Sequence, residues 1–339
     1  MGKATNAIIQ IEQGRTLVDF AALTDSGDHQ TFTSPDRVWS RAKGYEPEIR
    51  PNGIVSGVDL VSPAASGAND AVDVAAFTAY SGGTLYSVAA QTDVAVTRAA
   101  TQTHIINSIT MDSTGAIAVI AGAEGTSFSE TRGAAGGPPE IPADSVEIAQ
   151  VRLSSATSAP VAESEIYQVV GQHTERYDYP VWEVNTVGEG EAADSAAKKY
   201  AHVRFASALP TIHAGGTPKR VYARYYVPVF GDEQRTKDFT PAEKSYNVQS
   251  EQYYGGSVAS SSETLGQAQF TAFLNDGVTD QLVKAKGDVL AVKFFPDRNQ
   301  PKYLLTQGII GLGREFPVDG QIQATVTITA EQPTAEFSG

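Results

Sequence analysis

The sequence predicts a mostly β protein, and three observations lead to that prediction. Short runs of alternating apolar and polar residues recur at intervals of about ten residues, with turn signals rich in Gly, Asn and Ser between them. Charged residues make up only 19% of the chain, and Ala, Ser, Thr and Gly fill the deficit. Helical signals are confined to one short segment, 279–286, where Thr279 or Asp280 caps the start and Gly287 stops the end.

The first fifty residues form one region of N-terminal strands. Residues Ala7 to Gln13 alternate as a strand, Gly14 signals a turn, and a second apolar run extends from Leu17 to Phe20. The composition changes from Pro51 onwards, where Lys and Glu become rare. A domain boundary is therefore expected near residue 50.

Two further regions follow. Residues 51–170 predict an additional small β-sandwich-like domain of short strands, and residues 171–339 predict a second β domain that holds most of the tyrosines. Within this last region we expect a strand from Lys219 to Pro228, a polar loop from Lys237 to Gln249 and another strand from Glu263 to Leu274.

Composition excludes several classes of function. The chain has no cysteine, so disulfides and thiolate metal sites are ruled out. The formal net charge is −14, which argues against a nucleic-acid binder because such a protein needs clustered Lys and Arg. No run of about 18 apolar residues occurs, so we expect no partnership with a membrane.

Motifs for catalysis or cofactor binding are lacking. No two of the five histidines are spaced as metal ligands, and neither a nucleophile elbow nor a Walker A loop occurs. The stretch from Gly188 to Ala193 fits G-x-G-x-x-A loosely, but its two glutamates would repel a pyrophosphate. We therefore expect no cofactor, no metal and no enzymatic activity, although a glycosidase-type carboxylate pair stays open because such pairs are defined by distance in space.

Two stretches supply the candidate functional residues. The final strand, predicted from Gln321 to Thr329, should point Ile322, Val326 and Ile328 into the core. Its opposite, uncharged face consists of Gln321, Gln323, Thr325, Thr327 and Thr329. The second stretch is a tyrosine-rich strand whose candidate contact residues are Tyr222, Arg224 and Tyr226.

The order of elements over residues 230–337 resembles the tail tube (major tail) proteins of long-tailed bacteriophages. The similarity lies in the order of a polar loop, a strand with a break at Gly255-Gly256, a strand ending in Phe270-Thr-Ala-Phe-Leu274, a short helix, three strands and the closing Glu331-Gln-Pro-Thr334. Residues 51–168 are similar instead to small β modules of phage fibre and baseplate proteins. The resemblance implies a tail-tube β-sandwich or partly open barrel with one flanking helix, completed or not by residues 1–50.

The resemblance also implies a function and a set of partners. Tail tube subunits form hexameric rings that stack, contact other tail proteins, and enclose a polar, acidic lumen through which genomic DNA passes without specific binding. The chain would then be located in the virion tail after assembly in the host cytoplasm, and the candidate residues above would face the lumen or a neighbouring subunit. The alternative is a tail fibre or baseplate protein that binds a receptor or carbohydrate.

Overall fold

The computed structural model describes residues 5–168, 177, 180–185 and 200–338, and it confirms the mostly β fold with one short α-helix. The strands of the first fifty residues are β1 (Ile8–Ala22), β2 (Thr24–Asp25), β3 (Thr31–Thr33) and β4 (Glu48–Pro51). The next group is β5 (Gly53–Ser56), β6 (Val61–Pro63), β7 (Ala71–Val74), β8 (Phe77–Ser81), β9 (Thr84–Val88), β10 (Gln91–Ala95), β11 (Ile105–Met111), β12 (Ile117–Ala121), β13 (Val146–Leu153) and β14 (Ile166–Gln168).

The remaining strands are β15 (Trp182–Val184), β16 (His202–Phe205), β17 (Val221–Glu233), β18 (Thr236–Thr240), β19 (Lys244–Tyr253), β20 (Gly256–Leu265), β21 (Ala268–Phe273), β22 (Val289–Phe295), β23 (Tyr303–Glu315), β24 (Gln323–Ala330) and β25 (Ala335–Phe337). Helix α1 comprises Gln281–Lys284, and a 3₁₀ turn lies at Glu163–Glu165.

A nine-stranded antiparallel sheet, here called the main sheet, organises the molecule. Its strand order is β18-β21-β24-β23-β22-β1-β17-β4, and β25 pairs with the start of β23. One apolar cluster collects inward side chains from β21, β24, β23, β22 and β1, together with Leu282 of α1. These neighbouring strands therefore bury one face of the sheet in a shared core, to which α1 contributes.

Strand β1 joins the N-terminal residues to this sheet. It pairs with β17 along one edge and with β22 along the other, so it lies in the middle of strands from the C-terminal half. The turn expected at Gly14 is wrong. Glu12 pairs with Phe230 and Gly14 pairs with Val229, so Gln13 is an extra residue in a β-bulge and the strand continues to Ala22.

Residues 53–168, here called the insertion unit, contain three small sheets: β5-β8-β9, β10-β7-β6 and β12-β11-β13-β14. Their buried apolar side chains form a separate cluster that includes Val72, Ile109 and Val151 and draws only on residues 54–166. The Gln168 side-chain amide bonds both backbone groups of Val61, so the last strand of the unit is held against one of its first strands.

The C-terminal alternating strand is held within the monomer. β24 lies between β21 and β23 and pairs with both over most of its length. The strand begins at Gln323 and not at Gln321, which was predicted to lie within it. Both of its edges are therefore occupied by strands of the same chain, and it has no free edge to attract another copy.

Helix α1 is shorter than the predicted segment 279–286. Asp280 occupies the N-cap position, but its carboxylate accepts hydrogen bonds from the backbone N–H groups of the preceding loop, Asn275 to Gly277. Gly287, with φ of +89°, follows the helix as expected for a terminating residue. The competing loop bonds explain why the predicted helix loses its first residues.

Residues 237–265 differ most from the sequence-based expectation. The predicted loop from Lys237 to Gln249 consists largely of β18 and the first half of β19, and the strand predicted from Glu263 to Leu274 is broken between β20 and β21. The break lies where the Gly266 N–H donates to the Glu243 carbonyl oxygen at 2.9 Å. This bond closes the base of a long β19-β20 hairpin.

A second apolar cluster fixes the other end of the main sheet, and Trp39 is its largest member. The indole is 0% exposed, stacks on Tyr225 at a centroid distance of 4.9 Å and donates its Nε1–H to Ser34 Oγ at 2.8 Å. Trp182 belongs to the same cluster but is only half-buried, and its ring packs edge-on against Phe205 at a centroid distance of 5.9 Å.

Replacement of the two tryptophans should therefore have unequal effects. We expect Trp39→Ala to lower the free energy of unfolding by about 3–5 kcal/mol, because it removes a fully buried aromatic side chain. Trp182→Ala, as the matched control, should lower it by clearly less. Urea unfolding followed by circular dichroism measures both, and equal losses would contradict this account of the cluster.

Candidate functional site: an open sheet face and a projecting hairpin

The outer face of β21, β24 and β23 is an open, uncharged surface, here called the threonine face. Along β24, Thr325, Thr327 and Thr329 alternate with the fully buried Ala324, Val326 and Ile328. The register places Thr271 and Gln269 beside Thr325 and Thr327 on one side, and Gly313, Gly311 and Ile309 beside them on the other. Ile309 is 47% exposed, so no apolar layer covers this part of the sheet.

The threonine face is smooth because glycines alternate along β23. Gly311 lies opposite Thr327, and a Cβ at Gly311 would collide with the Thr327 hydroxyl. Charges in register with this face occur towards one end only, at Lys237 and Glu315. The centre of the face therefore offers hydroxyl, amide and backbone groups to water or to a partner without a fixed charge.

Gln321 and Gln323 have different positions from the threonines. Gln321 lies before the strand and is exposed, so it is not a member of the sheet face. Gln323 is at the end of the face and donates its side-chain amide to Glu315 Oε2 at 2.8 Å. Of the five predicted face residues, the structure thus groups the three threonines with Gln323 at their edge.

The predicted residues of β17 lie elsewhere and contact groups of their own chain. The Tyr222 hydroxyl donates to Asp144 Oδ1 at 2.6 Å, and burial, together with this carboxylate, raises the pKa of Tyr222. Arg224 Nε lies 2.8 Å from Asp19 Oδ1, and the Tyr226 ring packs edge-on against Tyr45 at 5.0 Å. Three strands separate β17 from β24, so the two predicted groups do not form one site.

The β19-β20 hairpin, here called the arm, is the most unusual feature of the chain. Each strand has ten residues, which corresponds to about 33 Å of extended chain. Every side chain of β19 is exposed, including Tyr246 at 68%, Val248 at 67% and Tyr253 at 60%. Within the described residues, β19 and β20 pair only with each other, so each strand of the arm has an unpaired outer edge.

Sequence reasoning found only part of the arm: it expected a strand interrupted at Gly255-Gly256 but assigned the residues up to Gln249 to a loop. Tyr253-Tyr-Gly-Gly256 is a turn sequence flanked on both sides by residues with high strand propensity, such as Tyr, Val, Ser and Thr. Tyr253 pairs with Gly256 across that turn, and Gly255 has φ of +102°. The expected hydrophobic alternation is absent because neither face of the arm is buried, and this led to its interpretation as a loop.

A carboxylate-lined cleft of about 460 Å³ lies between α1 and the end of β17. Glu233 and Asp280 both line it, and burial, followed by the charge of Asp280, raises the pKa of Glu233. The Asp280 carboxylate is however occupied by three backbone N–H groups of its own loop. This arrangement explains Asp280 as a group that orders the loop.

Searches for metal sites and membrane spans gave no candidate in the part of the chain that the structure describes. No group of three or more His, Asp or Glu side chains is placed to hold a metal ion there. Likewise, none of the helices in that part is long and apolar enough to cross a bilayer.

Comparison with models of known protein families gave no match, and no curated protein matched significantly. The geometry of the chain itself therefore has to carry the functional argument.

Exchange of valine and threonine should affect stability differently on the two faces of β24. Val326→Thr places a hydroxyl in the sealed cluster and should lower the free energy of unfolding by about 1–3 kcal/mol. Thr325→Val, its neighbour on the threonine face, should change stability by less than about 0.5 kcal/mol. Urea denaturation of both variants measures this difference, and a larger loss for Thr325→Val would show that the threonine face is covered.

Proposed function

We propose that this protein is a structural subunit that assembles with copies of itself, and that the arm is its main assembly element. The observation that carries the proposal is the exposure of the arm on both faces and both edges. An isolated two-stranded hairpin is at best marginally stable in water, because it has no core and half of its backbone groups face solvent. A third strand or a covering surface from another copy would bury the side chains of the arm and provide partners for its free backbone groups.

The chemistry of the arm suits pairing with another protein chain. Its unpaired edges offer rows of backbone N–H and C=O groups, which bind an added strand. Tyr246 and Val248 project from one strand on the same face, where Lys244 and Glu263 also form an ion pair at 2.5 Å. Exposed tyrosines are typical anchors of protein interfaces because they bury a large area at low entropic cost.

The assembly that we propose is the tail tube of a long-tailed bacteriophage, built of stacked hexameric rings. The support is the resemblance over residues 230–337, together with an antiparallel sheet whose core includes one short helix. In that assembly, the threonine face would line the lumen or contact a neighbouring subunit. An uncharged, hydrated wall would let genomic DNA pass without holding its phosphates.

The remaining parts of the proposal follow from this assembly. The partners would be further copies of the chain, other tail proteins and the DNA in transit. The protein would act without catalysis, and its location would be the virion tail. The insertion unit, with its own core, would decorate the outside of the tube.

Removal of the arm tests the proposal directly. The Gly266 N–H donates to the Glu243 carbonyl oxygen, and the same bond closes a turn that has two residues between its ends. Residues 244–265 can therefore be replaced by Asn-Gly, which favours such a turn. We expect this variant to keep a cooperative thermal transition, with a circular dichroism spectrum that loses only the contribution of the two arm strands, and to fail to form rings or tubes in electron micrographs. Tubes that form equally well without the arm would overturn the role given to it.

The unaltered chain provides the control and separates the alternatives. Rings with an open lumen, stacked or single, are the expected particles. Trimers that bind to a glycan array would instead favour the receptor-binding fibre interpretation. A chain that stays monomeric at all concentrations and salt conditions would contradict self-assembly.

The lumen assignment has its own test. Tubes of a Thr325→Lys, Thr327→Lys double variant should retain DNA at low salt and release it at high salt, because the added charges would face the phosphates. A filter-binding assay measures the retained DNA. A Ser113→Lys, Thr126→Lys double variant, at two exposed positions in the insertion unit, is the control with the same added charge, and equal retention by both double variants would argue against the threonine face as the lumen wall.

A further inference from the structure

A loop of the insertion unit, between β12 and β13, contacts the segment that connects β16 to β17. Residues Ile141 and His213 form a parallel bridge, in which the Ile141 N–H donates to the Ile212 carbonyl at 3.1 Å. The Ala214 N–H in turn donates to the Ile141 carbonyl at 3.3 Å. We call this contact the junction.

A buried histidine lies at the centre of the junction. His213 is 1% exposed, and its Nδ1 is 3.1 Å from the carbonyl oxygen of Pro142. A carbonyl oxygen can only accept, so Nδ1 carries the hydrogen and Nε2 holds the lone pair of the neutral ring. Nε2 is buried and has no hydrogen-bond partner among the described residues. A proton added there would be buried without an acceptor.

The charged groups around His213 stabilise a positive charge on its ring only in part. Asp144 favours the protonated ring and Arg220 opposes it, and these two side chains form their own ion pair at 3.1 Å. Glu140, on the same loop, accepts a bond from the Gly215 N–H at 3.4 Å, and Lys219 is fully buried on the segment that follows His213.

We propose that His213 makes the junction acid-sensitive: the neutral ring holds the β12–β13 loop of the insertion unit against the segment between β16 and β17, and the protonated ring releases this contact while the apolar cores stay folded. The contact geometry carries this inference, which is independent of the proposed assembly. The separate core of the insertion unit explains why release need not unfold it.

The direction of the pH response follows from the ring's environment. Burial lowers the pKa of His213 below its ordinary value of 6.5 and outweighs the carbonyls of Pro142 and Ile141, which favour the charged ring. The docked state therefore binds fewer protons than the released state. Docking should be strongest above that ordinary value and should weaken as the pH falls below it.

Hydrogen exchange of the full chain tests whether the junction opens at low pH. After correction for the intrinsic pH dependence, exchange in peptides covering 139–145 and 211–218 should rise severalfold between about pH 7.5 and about pH 5, a range in which histidine titrates. Exchange in β11 and β13, the core strands of the insertion unit, should not change. No rise at the junction, or an equal rise in these strands, would overturn the proposal.

A substitution identifies the group responsible. His213→Asn keeps an N–H that can donate to the Pro142 carbonyl but cannot titrate, so it should remove the acid response. His29→Asn, at a partly exposed histidine that pairs with Asp25, is the control and should retain it. If hydrogen exchange at the junction still rises at low pH in His213→Asn, the proposal is wrong.

A direct titration covers the case in which His213→Asn does not fold. The ring resonance of His213, followed by NMR in the unaltered protein, should titrate below the ordinary value of 6.5. Titration at or above that value would show that the junction accommodates the protonated ring, and the proposal would fail.

Discussion

The antiparallel pairing of β1 with both β17 and β22 is the constraint on which the rest of the structure depends. It places a strand of the N-terminal residues at the centre of a sheet from the C-terminal half. Ile9 and Ile11 contribute to the apolar cluster on one side, and Glu12 is buried on the other. The Glu12 carboxylate is satisfied there by Arg15, the Ser40 hydroxyl and the Ala291 N–H, so a buried charge is tolerated at the centre of the sheet.

The arm is firmly attached at its base and exposed along its length. Ala242 and Thr334 exchange two hydrogen bonds of 2.8 Å, which tie the arm base to the segment before β25. The Tyr200 hydroxyl holds that segment through the Pro333 carbonyl at 3.0 Å. The arm thus starts from a fixed point, and Leu265 at its base is the arm residue that packs against the main-sheet cluster among the side chains that the structure describes. Such a combination suits an element that is ordered by a neighbour and not by its own chain.

The insertion unit has the opposite character, since it has its own apolar core and several of its contacts with the main sheet are polar. Asp144, in a left-handed conformation with φ of +65°, accepts bonds from Asn52, Arg220 and Tyr222. Polar junctions of this kind permit relative motion more readily than apolar ones, because each group can exchange its partner for water. The two units can therefore keep their folds while the contact between them changes.

The sequence by itself determined which side of β24 is buried, because alternation along a strand is a local property: Val326 and Ile328 point inward wherever that strand is placed. It also determined the β class and the presence of α1. Only the tertiary structure decided that Gly14 continues a strand through a bulge, that Tyr222 binds Asp144, and that the arm is a hairpin. Each of these depends on which distant segment lies alongside, and neither the period of a short run nor its composition contains that information.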